Sequence, residues 1–435
     1  MAYGGGTWLV QNKVLPGSYI NFVSLARAIV SLADRGYAAM PLELDWGVDG
    51  EVFTVENSDF QKDSLKIFGY SYDHEKMKGL RDLFSNAKTL YAYKLNEGAK
   101  ASNEFATAKY AGKRGNDIKI SISANVDDPS KWDVDTMLDN KRIDSQTVSA
   151  VTDLKNNDFV DFKSGASLSS TSATPLTGGT NGTAVAGAEY QKFLDKIETY
   201  YFNTLGCLST DTTIKKLFIQ FTKRMRNEVG AKFQTVLYRA EFADFEGVIS
   251  VQNKALGDDK DSSAVYWVTG AEAGCEVNKS VTNKTYGGDF KLEFAENQTG
   301  LANGIKAGKF LFHRAENQVK VLTDINTFTS IEPEKNDDFS SNQTIRVLDQ
   351  IAVDIARLFN KSFVGKVAND AQGRSSLWDN IVDHHKELQK IRAIENFDSK
   401  DVAVEKGKNK KSVIVTDKVT PVNAMEQLYM TVIVA

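Results

Sequence analysis

The period of the hydrophobic pattern changes twice along this chain, and that change limits its fold more than any other feature. Between residues 106 and 161 the elements shorten and alternate, with Ile118, Ile120 and Ile122 on one face of an extended segment. Residues 132–138 and 146–151 continue the alternation, so this stretch predicts a small all-β sandwich. On either side the pattern is mixed. Residues 65–70 and 89–93 read as buried strands, and 73–86 between them as a helix with Met77, Leu80 and Phe84 on one side. Past the sandwich, 188–204, 212–227 and 263–273 predict helices, and 235–238 and 247–251 predict strands. Residues 308–312 and 319–322 predict a β-hairpin. Strand, helix, strand order marks an α/β unit. The expectation is therefore α/β plus β, in several domains.

Length agrees, because 435 residues at about 150 per domain suggest roughly three. Residues 164–188 are rich in Ser, Thr, Gly and Ala and read as a loop or domain junction. A long helix is expected over 342–360, where the spacing of Ile345, Leu348, Ile351, Val353, Ile355, Leu358 and Phe359 is mostly helical, and 377–394 repeats the pattern. Apolar residues make up 41% and charged ones 25%, which excludes a disordered chain. The net charge of −4 excludes a whole-chain basic footprint for nucleic acid. A run of about 18 uncharged apolar residues is absent, so no membrane span is expected. The Gly-rich first 15 residues lack a charged-then-apolar signal pattern, so synthesis in the cytosol is expected.

Motifs that would carry catalysis are missing or wrongly spaced. Residues 304–310 lack both the spacing and the Ser/Thr of a P-loop. Residues 177–183 could cradle an anion on backbone amides or could be a flexible junction. Adjacent helical side chains diverge by about 100°, so His384 and His385 cannot share one ligand face and are expected on a polar surface. Cys207 reads as a buried structural thiol, and two Cys with four His cannot make a finger-type zinc site. The basic run 406–411 has no interleaved aromatics and reads as a solvated turn or a docking spot for an acidic partner. No catalytic, cofactor-binding or metal residue is expected. An α/β enzyme with a β insertion stays open as an alternative, supported by the β–α pattern alone.

Both ends of the chain are apolar and strand-like. Trp8, Leu9, Val10, Tyr19, Ile20 and Phe22 lie at one end, and Leu428, Met430, Val432 and Val434 at the other. Such strands either pair within their own domain or complete the sheet of another chain, because an unpaired apolar strand leaves backbone donors and acceptors open.

Several segments, in order, resemble the tail sheath proteins of contractile phage tails and phage-tail-like bacteriocins. They are residues 15–22 (LPGSYINF), 108–118 (AKYAGKRGNDI), 176–182 (LTGGTNG), 268–283 from Val268-Thr269-Gly270-Ala271, and 418–430 (KVTPVNAMEQLYM). The resemblance implies a discontinuous subtilisin-like α/β domain with an inserted β-sandwich, a C-terminal α+β domain and extended terminal arms. The implied layout is an N-terminal arm over 1–22, the first part of the α/β domain over 23–97, and the sandwich over 98–180. The rest of the α/β domain spans 181–334, and a tube-facing domain spans 335–435. The arms named above would join neighbouring subunits.

The implied function is a sheath of stacked hexameric rings that contracts to drive a tube through a target envelope without nucleotide hydrolysis. Implied partners are sister subunits, a tail tube protein, and baseplate and terminator proteins, with no direct nucleic acid and no cofactor. The implied location is the bacterial host cytoplasm and then the particle. Charged residues of the two late helices, Arg346, Asp354, Arg357, Lys386 and Lys390, are the implied tube contacts. The linkers 4–6, 16–17 and 406–411 are the implied hinges.

Overall fold

A parallel sheet is covered on both faces, and in the central sheet of this chain the strands 204–207, 234–238 and 248–251 are buried at every position. The fold was read from a computed structural model, which describes residues 32–434 apart from 258, 295 and 296. The arm residues Trp8, Leu9, Val10, Tyr19, Ile20 and Phe22 lie outside the described residues. The described residues divide into one unit of residues 34–350 with 421–434, and a second of residues 32–33 with 351–420.

The first unit opens with β1 (Tyr37–Leu42), β2 (Val52–Glu56), α1 (Asn57–Phe68), α2 (Lys78–Phe84) and β3 (Thr89–Lys94). The strand expected over 65–70 is instead the last turn of α1. Phe60, Ser64 and Phe68 are its buried residues, four apart as a helix requires, and Gly69 ends it in a left-handed conformation. A short apolar run alone cannot tell the two periods apart.

The insertion follows as β4 (Ala106–Ala108), β5 (Ile118–Ala124), β6 (Trp132–Leu138), β7 (Lys141–Val148), β8 (Val160–Phe162) and β9 (Thr171–Pro175). Four of these strands form an antiparallel sheet in the order β7-β6-β5-β9, and β4 pairs with β8. Asp139 and Asn140, both at positive φ, make the two-residue turn from β6 to β7. Ile118, Ile120 and Ile122 point into one core with Val134, Leu138 and Val160. Each such side chain contributes about 1.5–3 kcal/mol by leaving water. Trp46, from the loop after β1, enters the same core. It is buried, with ring centroids 5.2 Å from Tyr110 and 6.1 Å from Phe159, and its Nε1 donates to the Lys66 carbonyl at 3.0 Å.

The chain then returns through α3 (Gly187–Ile197), β10 (Thr204–Cys207), α4 (Thr212–Arg224), β11 (Gln234–Tyr238), β12 (Val248–Val251) and α5 (Ala264–Gly274). The single helix expected over 188–204 therefore stops at Ile197; 198–203 are turn and loop, and β10 starts at Thr204. The central sheet runs β12-β11-β10-β1-β3-β2, parallel except for β2. Strands from before and after the insertion share this one sheet. Alternate residues serve opposite faces: Met40 and Leu42 join one core, and Ala39 and Leu205 the other. On the first face α2 and α5 pack closely. A Cβ on Gly270 would lie 2.2 Å from the Leu83 carbonyl oxygen. The unit continues with α6 (Gln298–Lys306) and the antiparallel pair β13 (Phe312–Ala315) and β14 (Gln318–Val321).

α7 (Asn342–Ser362) contains the division between the two units. The second unit adds α8 (Ala371–Lys390), β15 (Ile394–Glu395) and the antiparallel hairpin β16 (Val402–Lys406) and β17 (Val413–Asp417). Its core gathers Leu358, Phe363, Leu377, Ile381, Val382 and Val402. The basic run 406–411 falls in the hairpin loop. Gly407 N–H donates to the Ser412 carbonyl at 2.8 Å, and Asn369 Nδ2 donates to the carbonyls of Lys410 and Ser412. That loop is pinned to its own unit, which removes it as a hinge.

Candidate functional site

The C-terminal arm begins anchored and ends free. Ser341 Oγ donates to Asn423 Oδ1 at 3.0 Å, and Asn423 Nδ2 donates to Thr344 Oγ1 at 3.1 Å. Ala424 N–H donates to Gln343 Oε1 at 2.9 Å. The Glu426 carboxylate accepts from Thr282 Oγ1 at 2.6 Å and from Thr323 Oγ1 at 2.8 Å. Beyond Glu426 the backbone enters no sheet among the described residues. Met425, Leu428, Tyr429, Met430, Val432, Ile433 and Val434 are 71–101% exposed. Seven large apolar side chains within ten residues are thus on the surface of the chain. The expected arm residues Leu428, Met430, Val432 and Val434 all lie in this free stretch. Glu426 escaped the sequence reading, although it is the one charge in the last eleven residues and so signals an anchor.

Beneath the anchor lies a buried ion cluster. Thr282 Oγ1 accepts from the backbone N–H of Asp324 at 2.9 Å. Arg346 donates to Glu272 Oε2 at 2.6 Å, to Asp324 Oδ2 at 3.1 Å and to the Lys279 carbonyl at 2.7 Å. All three charged residues are buried. Burial and the neighbouring Asp324 charge push Glu272 up to about 8, against the pull of Arg346. Asp324 is held below the ordinary carboxylate range: Arg346 and the hydrogen bonds it accepts outweigh its burial. One cation therefore faces one carboxylate and one neutral acid, which balances charge in a dry site. Arg226 makes a second buried pair with Asp349, bidentate at 2.7 and 2.8 Å.

These facts correct two expected tube contacts. Arg346 belongs to the buried cluster and Asp354 is 4% exposed, so neither reaches a surface partner. The helical pattern places both on α7 but does not say how deep α7 lies. Arg357, Lys386 and Lys390 are exposed. The histidines are corrected too. His384 and His385 are fully buried, and their Nδ1 atoms meet at 3.0 Å.

The enzyme alternative would need a polar site, and several polar groups of the candidate for one are engaged within the fold. A crevice of about 540 Å³ opens beyond the carboxyl ends of β1 and β10, where α/β sheets bind ligands. Asp211 there caps α4 by accepting from Thr213 and Ile214 N–H, Lys260 pairs with Glu43 at 2.8 Å, and Ser262 Oγ donates to the Leu208 carbonyl. Burial pushes the Cys207 thiol up to about 12, far from a thiolate nucleophile. Among the described residues no cluster of three or more His, Cys, Asp or Glu could hold a metal, and no helix is long and apolar enough to cross a membrane.

Comparison with known proteins covers almost the whole chain. Residues 35–95 match the model of a tail sheath domain III N-terminal region, and 96–181 match a phage tail sheath protein beta-sandwich domain. Residues 183–327 match the central domain of phage tail sheath protein, and 334–435 its C-terminal domain. The crystal structure of a sheath tail protein from Desulfitobacterium hafniense is similar at 37% identity and a TM-score of 0.84, over 95% of this chain and 99% of that one. The phage-like element PBSX protein XkdK of Bacillus subtilis (strain 168) is 32% identical over 98% of this chain and 99% of its own. The helical sheath of the anti-feeding prophage in its contracted state shares the fold, with a TM-score of 0.55 at 13% identity over 96% of this chain and 99% of that one.

Proposed function

The chain belongs to the phage tail sheath family, and from that premise we propose that it is a structural subunit which polymerises around a tail tube as stacked hexameric rings. The rings contract and drive the tube through a target envelope. The carrying observation is the free apolar stretch after Glu426. Added to a sister subunit's sheet, it gains both backbone partners and apolar cover. The N-terminal segment with Trp8, Leu9, Val10, Tyr19, Ile20 and Phe22 does the same at the other end. In this reading the six-stranded sheet is the family's discontinuous subtilisin-like domain, a likeness of fold and not of catalysis.

Energy for the stroke comes from repacking between subunits. Covering an extra ~400 Å² of apolar surface per subunit contributes about 10 kcal/mol at about 25 cal/mol/Å². Ordering and desolvation reduce that figure. The remaining surplus, summed over a stack of rings, still gives a one-way motion without nucleotide hydrolysis. Besides sister subunits and the tube, the partners are baseplate and terminator proteins. The subunit is made in the bacterial cytoplasm and ends in the particle. That the anti-feeding prophage sheath was solved contracted supports contraction as the mode of action.

Electron microscopy of the purified chain tests this. The full chain should give helical tubes. A chain lacking residues 427–435 should stay unassembled, with an unchanged melting curve for the body. Tubes from the truncated chain refute the reading.

A further inference from the structure

Neighbouring residues on a helix point about 100° apart, yet the Nδ1 atoms of His384 and His385 on α8 lie 3.0 Å from each other. Each ring gives its other nitrogen to a carboxylate. His384 Nε2 lies 3.0 Å from Asp354 Oδ2 on α7, and His385 Nε2 lies 2.7 Å from Asp417 Oδ2 on β17. An ionised carboxylate only accepts, so both Nε2 atoms carry hydrogen. Two bare Nδ1 atoms at this distance would oppose lone pairs, and two protonated ones would oppose hydrogens. One proton between them makes a hydrogen bond of ordinary length. A metal in the proton's place would find two nitrogens where structural zinc takes four ligands.

We propose that Asp354, His384, His385 and Asp417 form one proton-sharing chain that fastens the backbone at Ala33 to the end of the strand leading into the C-terminal arm. The proposal rests on the arm reading above. At one end of the chain, Asp354 Oδ1 accepts from the backbone N–H of Ala33, where the N-terminal segment enters. At the other end, Asp417 closes β17, four residues before the C-terminal arm starts at Pro421. The rings between them are fully buried, and Phe397 packs its ring 5.0 Å from His385. Among the described residues, Asp354 and Asp417 are the charged groups in hydrogen-bond contact with the pair. The charged neighbours on α8 lie toward the surface, with Lys386 paired to Asp383 at 3.5 Å. In so dry a setting each hydrogen bond polarises the next, so loss at one end is felt at the other.

Hydrogen–deuterium exchange on the full-length chain tests this with Asp354→Asn, Asp417→Asn and both together. Asp417→Asn should speed exchange at Ala33 about threefold or more, although the two residues do not touch. The double variant should fall short of the product of the single effects by a similar factor, as residues of one network do. His385→Gln keeps a donor for Asp417 but cannot share a proton, and it should reproduce the effect at Ala33 if Asp417→Asn unfolds the unit. Multiplicative effects with no change at Ala33 overturn the proposal. Microscopy of the same samples keeps the two readings apart. Tubes with independent carboxylates sink the shared-proton chain alone, and coupled carboxylates without tubes sink the sheath reading alone.

Discussion

Glu272 and Asp324 lie against the same guanidinium, yet burial separates their protonation. Glu272 keeps its proton up to about 8, from an ordinary value of 4.5. The folded chain therefore holds a proton that the unfolded chain has lost. Between those two values unfolding releases it, so stability falls as pH rises, and the loss is complete above about 8. Glu272→Gln should flatten that part of the curve in urea unfolding followed from about pH 5 to about pH 9. Arg346→Met should instead cost about 3–5 kcal/mol at neutral pH, because Asp324 is left buried and charged without its cation. The depth of Arg346 was not legible in the sequence. Its spacing on a helix was, but its two acids lie 74 and 22 residues away. The histidine pair was misread for a related reason, since the chain approaching from Asp417 supplies a partner that no local pattern announces.

Elements with a long, clean period were legible. The alternation of Ile118, Ile120 and Ile122 located β5, and the apolar spacing of residues 342–360 located α7. Short apolar runs were not, because helix and strand share them: the end of α1 reads as a strand, and the strand expected over 308–312 is found over Phe312–Ala315. Nor does any pattern reveal how closely two helices pack. Gly270 of α5 is such a point. Replacing it with Ala would favour the helix by about 1 kcal/mol, but the new methyl would meet the Leu83 carbonyl, a backbone atom that cannot swing aside. Overpacking of that kind costs about 1–3 kcal/mol. Gly270→Ala should therefore lower the melting temperature, and calorimetry giving an equal or higher one contradicts the packing argument.

At the scale of the molecule, assembly surfaces are where the sequence was both most and least informative. The apolar run after Glu426 could be read directly, and its side chains are exposed, since nothing else in the last eleven residues competes with it. Tube contacts could not, because charge on a helix is the same text whether it faces water or a core. Three of the five expected positions are exposed: Arg357, Lys386 and Lys390. Among the described residues the two lysines pair with Asp383 and Glu387 on the surface, at 3.5 and 3.2 Å. Such pairs contribute at most about 1 kcal/mol. Lys386→Glu with Lys390→Glu should therefore leave folding and empty-sheath polymerisation unchanged while reducing co-sedimentation with purified tube, more so at low salt. Equal co-sedimentation at low salt removes these lysines from the tube interface.

Trp46 carries a last consequence. The inserted sandwich borrows an indole from its host to complete its own interior. Cut out and produced alone, it would be left with a hole the size of two fused rings, and a core void of that kind costs about 3–5 kcal/mol. Grafting it onto another scaffold would demand an aromatic donor at the matching loop. Module and host are in this sense a matched set, able to diverge on their outer faces while the borrowed ring ties their inner ones to a common fate.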